Sequence, residues 1–262
     1  MKNKISLYDE HIKALESMKK YPKALYALGD RALLQRTKVS IVGTRRPSLY
    51  TQQQTKILAS ALAKRGICLV SGAAMGVDAL VHQGAGLNNT IAVVANSLDI
   101  RYPSVNRHLI EGIEKEGLML SQFPVTTKAA PWSFVVRNEL VVALGEVLIV
   151  TEADENSGSM RSVEFALKMG KQIYVLPHRL GESLGTNKLL DEGLALPIYN
   201  IETFADNYGV IPQNEAIEKD EFFYFCQTSP TFDDAIAKFS DRVYEAELEG
   251  LICIENGLVR LV

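Results

Sequence analysis

Two adjacent arginines, Arg45 and Arg46, follow an apolar run that breaks at Gly43 in the segment KVSIVGTRRPS. Guanidinium groups carry forked N–H donors that match phosphate oxygens, and their planar faces stack on nucleobases. Gly43 lets the backbone turn or approach a ligand closely, and Ser48 suits the N-cap of a helix whose N-terminus would attract anions. The loop from Gly43 to Ser48 therefore predicts an anion site, with a solvated loop as the alternative.

Two further segments provide the small and hydroxyl-bearing residues that hold phosphates. SGAAMGVDALVH begins with Ser71 and Gly72, and ENSGSMRSVE places Ser157, Gly158 and Ser159 at the predicted start of a helix. Amides and hydroxyls at such turns form anion cradles, and close packing of a helix on a sheet is the alternative for the first segment. The chain contains neither GxGxxG nor GxxxxGK[ST], which removes the main support for a dinucleotide enzyme or a P-loop ATPase.

A third segment, PWSFVVRNEL, pairs an aromatic residue with a cation. Ser133 is the predicted N-cap of a helix, and Phe134 and Arg137 then lie three residues apart on one face of it. A ring for base stacking beside a cation for the backbone is typical of proteins that bind single-stranded nucleic acid. Spacing alone favours the alternative, a core phenylalanine with a surface arginine.

These segments follow short apolar runs that lack polar alternation, as strands buried on both faces do. The runs cover residues 39–42, 67–70, 90–95, 118–121, 147–153 and 172–177. Segments of helical period separate them, so the sequence predicts an α/β fold with a doubly wound, mostly parallel sheet. Ligands of such sheets bind beyond the carboxyl ends of the strands, where the unusual loop segments also lie.

Pattern and charge divide the chain into three predicted parts: a short N-terminal helical segment over 1–30, a sheet domain over 31–208 and a small C-terminal domain over 209–262. The last part follows a polar linker and combines helices with a hairpin that turns at Asn256-Gly257, a winged-helix-like pattern. Residues 201–262 carry four basic and thirteen acidic residues, whereas residues 1–200 carry 24 and 18. This asymmetry favours anion binding by the sheet domain and a protein contact for the C-terminal domain.

Composition removes several other classes of protein. The chain is 47% hydrophobic and 23% charged, which is ordinary for a soluble protein. It has no apolar run near 18 residues and no apolar signal-peptide core, so we expect a cytoplasmic protein without membrane contact. Its three cysteines predict buried free thiols. Its four histidines show no metal spacing, and no nucleophile stands beside a base, so we predict no catalytic residue, metal site or cofactor.

The ordered motifs IVGTRRPS, SGAAMGVDA, YPSVNRHL, LSQFP, FVVRNELVVAL, VLIVTEADENSGSMRS and VLP, followed by GTNKLLDEG, resemble those of the DNA-processing protein A family of natural transformation, also called the Smf family. The resemblance covers roughly residues 21–201, and the tail resembles the winged-helix module that ends many members. It implies a Rossmann-like protein that binds incoming single-stranded DNA, forms a homodimer and helps load the RecA recombinase while displacing single-strand-binding protein. No established enzymatic activity comes with the resemblance.

The resemblance also implies a DNA pocket. In it Arg46 would contact a phosphate, Phe134 would stack on a base, and Arg137 would make a polar contact. The full implied set is Gly43, Thr44, Arg45, Arg46, Ser48, Ser71, Gly72, Phe134, Arg137, Asn138, Ser157, Gly158 and Ser159.

Two other functions stay open at the level of sequence. Gly158 and Glu164 fall at offsets that match part of the PGGxGTxxE motif of LOG-type nucleoside-monophosphate phosphoribohydrolases, although the rest of that motif is missing. Glu139 stands where family members often carry a second arginine. With the acidic tail, it motivates a protein-interaction adaptor that no longer binds DNA.

Overall fold

The six apolar runs form six strands of a nine-stranded sheet in a computed structural model that describes residues 4–211, 221–248, 251–255 and 257–261. Its strands are β1 (Ser6–Leu7), β2 (Tyr26–Gly29), β3 (Lys38–Val42), β4 (Cys68–Ser71), β5 (Thr90–Val93), β6 (Leu118–Ser121), β7 (Leu148–Val150), β8 (Ile173–Val175) and β9 (Leu196–Pro197). Their order is β1-β2-β6-β5-β4-β3-β7-β8-β9, parallel from β6 to β9 and antiparallel at β1 and β2. The predicted doubly wound, mostly parallel sheet is confirmed.

Helices cover both faces of this sheet. They are α1 (Leu49–Lys64), α2 (Val77–Ala85), α3 (Arg107–Glu116), α4 (Pro131–Leu144), α5 (Gly158–Lys168), α6 (Leu184–Asp191) and α7 (Ile201–Asp206). Alternate strand residues feed two cores: Val70 packs in the core that contains Leu140 of α4, and Leu69 in the core that contains Leu58 and Leu62 of α1. Full burial of one such leucine side chain contributes about 1.5–3 kcal/mol, so the apolar runs hold the strands in place.

The strand order reverses between β3 and β7. From β3 the chain builds outward through β4, β5 and β6, and it then returns to the other side of β3 with β7. Both strands are parallel and pair directly, with Val42 opposite Val150 at their carboxyl ends. The loops that follow them must therefore diverge to opposite faces, which opens a crevice at this switch point.

The N-terminal segment differs from the prediction. Within residues 4–30 the structure has β1, β2 and one 3-10 helix, Lys13–Ser17, so two strands accompany the helix in the segment that was predicted to be helical. Tyr26 of β2 pairs with Ser121 of β6, because an uncovered strand edge presents unpaired amides and carbonyls that another strand satisfies. The run YALG is too short to reveal this pairing by pattern alone. One compact unit accordingly comprises Met1–Val210, and a second comprises Ile211–Val262.

The start of α4 also differs. Its N-cap is Ala130 and its first residue is Pro131, so the predicted N-cap at Ser133 is wrong. Proline suits the first helical position because its missing N–H has no acceptor there anyway. The Ser133 hydroxyl instead accepts from the Ala130 amide at 2.9 Å and so stabilises the turn from within the helix.

The second unit has helices α8 (Glu221–Gln227), α9 (Phe232–Phe239) and α10 (Asp241–Leu248), followed by strands β10 (Ile252–Glu255) and β11 (Leu258–Leu261). The two strands pair antiparallel, and Phe222, Cys226, Ala235 and Val243 form a core with Ile252. Asn256 of the predicted turn and most of the predicted linker, 212–220, lie outside the described residues. A winged-helix-like module stays a prediction.

Every helix within the described ranges falls short of the length and apolar character that a membrane-spanning helix needs.

Candidate nucleic-acid interface

The loops after β3 and β7 enclose a crevice of about 580 Å³, here called the switch-point crevice. Most of the predicted binding residues line it: Gly43, Thr44, Arg45, Phe134, Arg137, Asn138, Ser157, Gly158 and Ser159. The rest of the wall consists of Val42, Ala74, Asp78, Pro131, Val135, Val141, Arg161 and Ser162. Residues from four separate segments of the sequence therefore meet at one place, as the strand-end argument requires.

Phe134 stands between two cations in this crevice. The guanidinium carbon of Arg45 lies 5.2 Å from the centroid of the Phe134 ring, and that of Arg137 lies 5.9 Å from it. Both distances are within the range of a cation–π contact. Arg45 is exposed and Phe134 is half-buried, so the ring and one guanidinium are accessible to a ligand together.

Arg137 is buried, with a residue exposure of 5%. Its Nη1 lies 3.5 Å from Oδ2 of Asp78 and donates to the carbonyl oxygen of Val93 at 3.3 Å. Gly72 makes room for it, because a Cβ on that glycine would lie only 1.1 Å from Arg137 Nη1. Burial lowers the pKa of Arg137, Asp78 opposes this effect and Arg45 adds to it. Arg137 therefore forms the buried floor of the crevice. The alternative interpretation of the spacing, a surface arginine, does not hold.

A buried histidine lies behind this floor. His82 Nε2 accepts from the Ala73 amide at 3.3 Å, and its Nδ1 lies 2.5 Å from the Thr90 hydroxyl. Burial, with a smaller contribution from Arg137, lowers the pKa of His82 from 6.5 to about 3. His82 is thus neutral at neutral pH and supports the loop after β4 without adding charge to the crevice.

The N-terminus of α5 forms another part of the crevice wall. Ser157 is its N-cap, and the amides of Gly158 and Ser159 belong to the first turn, where a helix has no acceptor for them. Such a helix start carries a partial positive charge and binds anions. Asn138 Nδ2 donates to the Gly158 carbonyl at 3.4 Å, which ties α4 to this wall.

Three polar atoms of the crevice residues have no hydrogen-bond partner among the described residues. They are Nε of Arg137 and the hydroxyl oxygens of Ser157 and Ser162. A buried polar group without a partner costs roughly 1–3 kcal/mol, so their grouping around one crevice is typical of a ligand site.

Gly72 also lines a second, smaller crevice that adjoins the first. Arg45, Ala74 and Phe134 belong to both walls. Tyr102 also lines the second crevice, and its ring centroid is 6.4 Å from that of Phe134. A second aromatic surface is therefore available beside the crevice.

Three predicted residues line neither crevice. The Arg46 side chain is exposed, while its amide donates to the Thr44 hydroxyl at 3.2 Å. Ser48 accepts from the Thr51 amide as the N-cap of α1, and its hydroxyl also donates to Glu152 at 2.9 Å. The Ser71 hydroxyl is buried and donates to the Ile41 carbonyl at 2.7 Å. Ser48 and Ser71 therefore act within the scaffold, and Arg45 is the arginine of the pair that enters the crevice wall.

Sequence reasoning missed three polar residues of the crevice: Asp78, Arg161 and Ser162. Arg161 and Ser162 belong to the quoted segment ENSGSMRSVE and follow the three chosen residues within about one helical turn. Asp78 stands in the first turn of α2, and only its partner Arg137, 59 positions away, marks it as part of the crevice.

The two acidic residues that motivated other functions lie outside the crevice wall. Glu164 is exposed and pairs with Arg161 at 3.1 Å, so the carboxylate of a LOG-type phosphoribohydrolase motif has no counterpart in the crevice. Glu139 accepts from the Lys19 amide at 3.0 Å and fastens the N-terminal segment to α4. Neither finding favours the hydrolase.

The crevice offers binding rather than acid-base groups among its described residues. Asp78 supplies its carboxylate, and this group is paired with Arg137. The described residues contain no cluster of three or more His, Cys, Asp or Glu side chains that could hold a metal ion. Three arginines, a helix N-terminus and an aromatic ring suit an anionic, aromatic ligand such as a nucleotide.

Comparison with known proteins agrees with a nucleic-acid ligand, because the similar proteins are DNA processing proteins. The family model of DNA recombination-mediator protein A matches residues 5–209. The DNA processing protein DprA of Bacillus subtilis (strain 168) is 34% identical over 184 residues, which cover 68% of this chain and 62% of that protein. Protein Smf of Synechocystis sp. (strain ATCC 27184 / PCC 6803 / Kazusa) is 34% identical over 199 residues, 73% of this chain and 50% of that protein. The chain thus matches half to under two thirds of these relatives' lengths.

Two solved structures are similar. DNA processing protein A from Helicobacter pylori, solved for its single-stranded DNA binding mode, is 44% identical with a TM-score of 0.76 over 78% of this chain and 95% of that one. DprA from Streptococcus pneumoniae is 28% identical with a TM-score of 0.73 over 80% and 76%. The Rossmann-like fold is confirmed by both. From the family match and these identities, the chain belongs to the DNA recombination-mediator protein A family.

Proposed function

We propose that this protein binds single-stranded DNA in the switch-point crevice and acts as a recombination mediator in natural transformation. It protects the incoming strand and helps load RecA onto it. Binding without a chemical step fits the polar groups of the crevice, whose carboxylate is already paired.

The observation that carries the proposal is the arrangement around Phe134. Its ring lies within 6 Å of the guanidinium carbons of Arg45 and Arg137, and the first turn of α5 lines the same crevice. Stacking on an aromatic ring contributes roughly 1–3 kcal/mol per base, and charged donors hold the phosphates. Such contacts read ring faces and backbone, so we expect little sequence preference.

The family match extends the proposal to partners. RecA is the recombinase that would receive the strand, single-strand-binding protein is what the chain would displace, and a homodimer is the expected assembly. The acidic C-terminal unit is repelled by polyanions, and its role is therefore a protein contact.

The test is fluorescence anisotropy of labelled oligo-dT and of duplex of the same length, across a salt series. Ser159→Asp introduces an anion at the crevice, while a carboxylate in the first turn of a helix favours the fold. Asn88→Asp is the matched control, because Asn88 is exposed in the 3-10 helix Leu87–Asn89 that precedes β5. Asn88→Asp adds the same charge as Ser159→Asp, but at the amino ends of the strands and away from the crevice wall.

We expect single strand to bind well above duplex, and Ser159→Asp to weaken binding at least tenfold, about 1.4 kcal/mol. Asn88→Asp should stay within twofold of the wild type. If single strand fails to bind at low salt, the DNA-binding proposal is wrong and the adaptor function takes its place. Release of base from AMP would instead support the hydrolase.

RecA loading has its own test. RecA filament formation on oligo-dT coated with single-strand-binding protein should accelerate when this protein is added. Ser159→Asp should abolish the acceleration and Asn88→Asp should retain it. If both variants accelerate filament formation, RecA loading does not depend on DNA binding in the crevice.

A further inference from the structure

The polar floor of the switch-point crevice lacks partners that a ligand could supply. Ser162 is 1% exposed and Arg137 is 5% exposed, yet the Ser162 hydroxyl and Arg137 Nε have no hydrogen-bond partner among the described residues. Both residues line the crevice beside the first turn of α5. Nearly all buried polar groups in native proteins are paired, so two such groups in one crevice, one from α4 and one from α5, point to an anionic ligand there.

The charge of the wall exceeds what one backbone phosphate needs. Arg45, Arg137 and Arg161 line the crevice together with the carboxylate of Asp78, and Glu164 outside the wall pairs with Arg161 at 3.1 Å. These five groups leave one net positive charge, to which the start of α5 adds about half a charge. A phosphodiester within a strand carries one negative charge, whereas a phosphomonoester carries about −1.5 to −2 at pH 7. The surplus of positive charge matches the terminal phosphate better.

The crevice is also larger and more apolar than a phosphate site. Its volume of about 580 Å³ lies within the roughly 300–1,000 Å³ of pockets that enclose whole small molecules. Phe134, Val135, Pro131 and Val141 give the α4 side of the wall apolar surface, and the α5 side carries serines. A base and a sugar fit the α4 side, and a phosphate fits the α5 side.

Building on the proposed function, we infer that the switch-point crevice binds a whole nucleotide bearing a phosphomonoester. Its phosphate lies at the first turn of α5, and its base lies against Phe134. Two sources carry this chemistry: a free nucleoside monophosphate and the 5′-phosphorylated end of a DNA strand.

Calorimetric titration of the full chain with dTMP, thymidine and inorganic phosphate tests the site directly. Competition of the same three compounds against labelled oligo-dT shows whether the sites coincide. We expect dTMP to bind at least tenfold more tightly than phosphate or thymidine, and to displace the oligonucleotide. If phosphate competes as well as dTMP, the crevice is an anion site only and the inference is wrong.

Two oligonucleotides distinguish the sources. Oligo-dT with a 5′-phosphate that binds at least fivefold more tightly than oligo-dT with a 5′-hydroxyl identifies a strand end. Equal binding of the two, with dTMP still tenfold better than phosphate, identifies the free nucleotide.

A matched pair of variants locates the phosphate. Ser162→Ala and Thr55→Val each remove a buried hydroxyl that has no partner among the described residues, but Thr55 lies in α1 away from the crevice wall. Both variants should keep the wild-type melting temperature. Only Ser162→Ala should weaken dTMP binding, by at least fivefold. Unchanged dTMP binding by Ser162→Ala would overturn the placement at α5.

The outcome also separates this inference from the proposed function. Oligo-dT that binds without competition from dTMP leaves the DNA-binding proposal intact and refutes the nucleotide site. Binding of dTMP without binding of oligo-dT refutes the DNA-binding proposal and retains the site for a free nucleotide.

Discussion

The two neighbouring arginines of GTRRPS should contribute very unequally to DNA binding. Arg45 lines the crevice, with its guanidinium carbon 5.2 Å from the Phe134 ring centroid. Arg46 is exposed and lines neither crevice, and its backbone amide donates a hydrogen bond to the Thr44 hydroxyl. Arg45→Ala should therefore weaken binding of oligo-dT strongly and Arg46→Ala weakly.

The magnitude follows from the contacts that are lost. A hydrogen bond to a charged group contributes about 1.5–3 kcal/mol, and a tenfold change in affinity corresponds to about 1.4 kcal/mol. Arg45→Ala should thus weaken binding roughly 10- to 100-fold. Its log-log salt slope should also fall by about 0.7, the value for one phosphate of a single strand. Salt screens exposed charges beyond about 10 Å at 0.1 M, so Arg46→Ala should cost less than about threefold.

The assay is anisotropy of labelled oligo-dT between 50 and 200 mM salt, about the range over which phosphate contacts change affinity most visibly. Melting temperatures provide the control for folding, since both side chains are exposed and surface substitutions usually stay within about 0.5 kcal/mol. A loss for Arg46→Ala that equals or exceeds the loss for Arg45→Ala would refute the reasoning from the crevice wall. It would also restore Arg46 as the phosphate contact.

Three further predictions concern the same region. Phe134→Leu should weaken oligo-dT binding by roughly 1–3 kcal/mol in the same titration because it removes the stacking ring, and Phe134→Tyr should retain it; equal loss in both would contradict stacking. Gly72→Ala places a Cβ 1.1 Å from Arg137 Nη1, so the buried ion pair should break and the free energy of unfolding should fall by roughly 3 kcal/mol in chemical denaturation. An unchanged denaturation midpoint would mean that the guanidinium moves at little cost. The pKa of His82 is about 3 in the folded protein and 6.5 ordinarily, so its contribution to the free energy of unfolding is complete above pH 6.5 and falls by up to about 1.4 kcal/mol per pH unit towards pH 3. Denaturation at a series of pH values should therefore show a shallower dependence of this free energy on pH for His82→Gln. The exposed His108→Gln should follow the wild type.

Much of the fold was predictable because its signals are local. Each apolar run of the parallel sheet became a strand within a few residues of its predicted bounds, since strands buried on both faces need uninterrupted apolar side chains. Strand β2 escaped prediction because its partner, β6, lies about ninety positions away. Pairing at an edge depends on the exposed neighbour rather than on the short run itself.

The site was predictable as a place and less so as a set of contacts. Placing motifs at strand ends brought Gly43, Phe134 and Ser157 into one crevice, because parallel strands share a carboxyl edge. The roles of individual side chains did not follow. Ser71 and Ser48 carry the expected hydroxyls, yet both are used by scaffold hydrogen bonds.

By itself the sequence determined the parallel sheet, the edge at which the crevice lies and the residue types gathered there, because periodicity and strand-end position are properties of short segments. Tertiary structure alone decided that Arg45 rather than Arg46 enters the crevice wall, and that Arg137 is buried beside Gly72 and Asp78. Loop residues have no periodicity that fixes their direction. Only packing between distant segments determines which side chain lines the crevice and which one is enclosed.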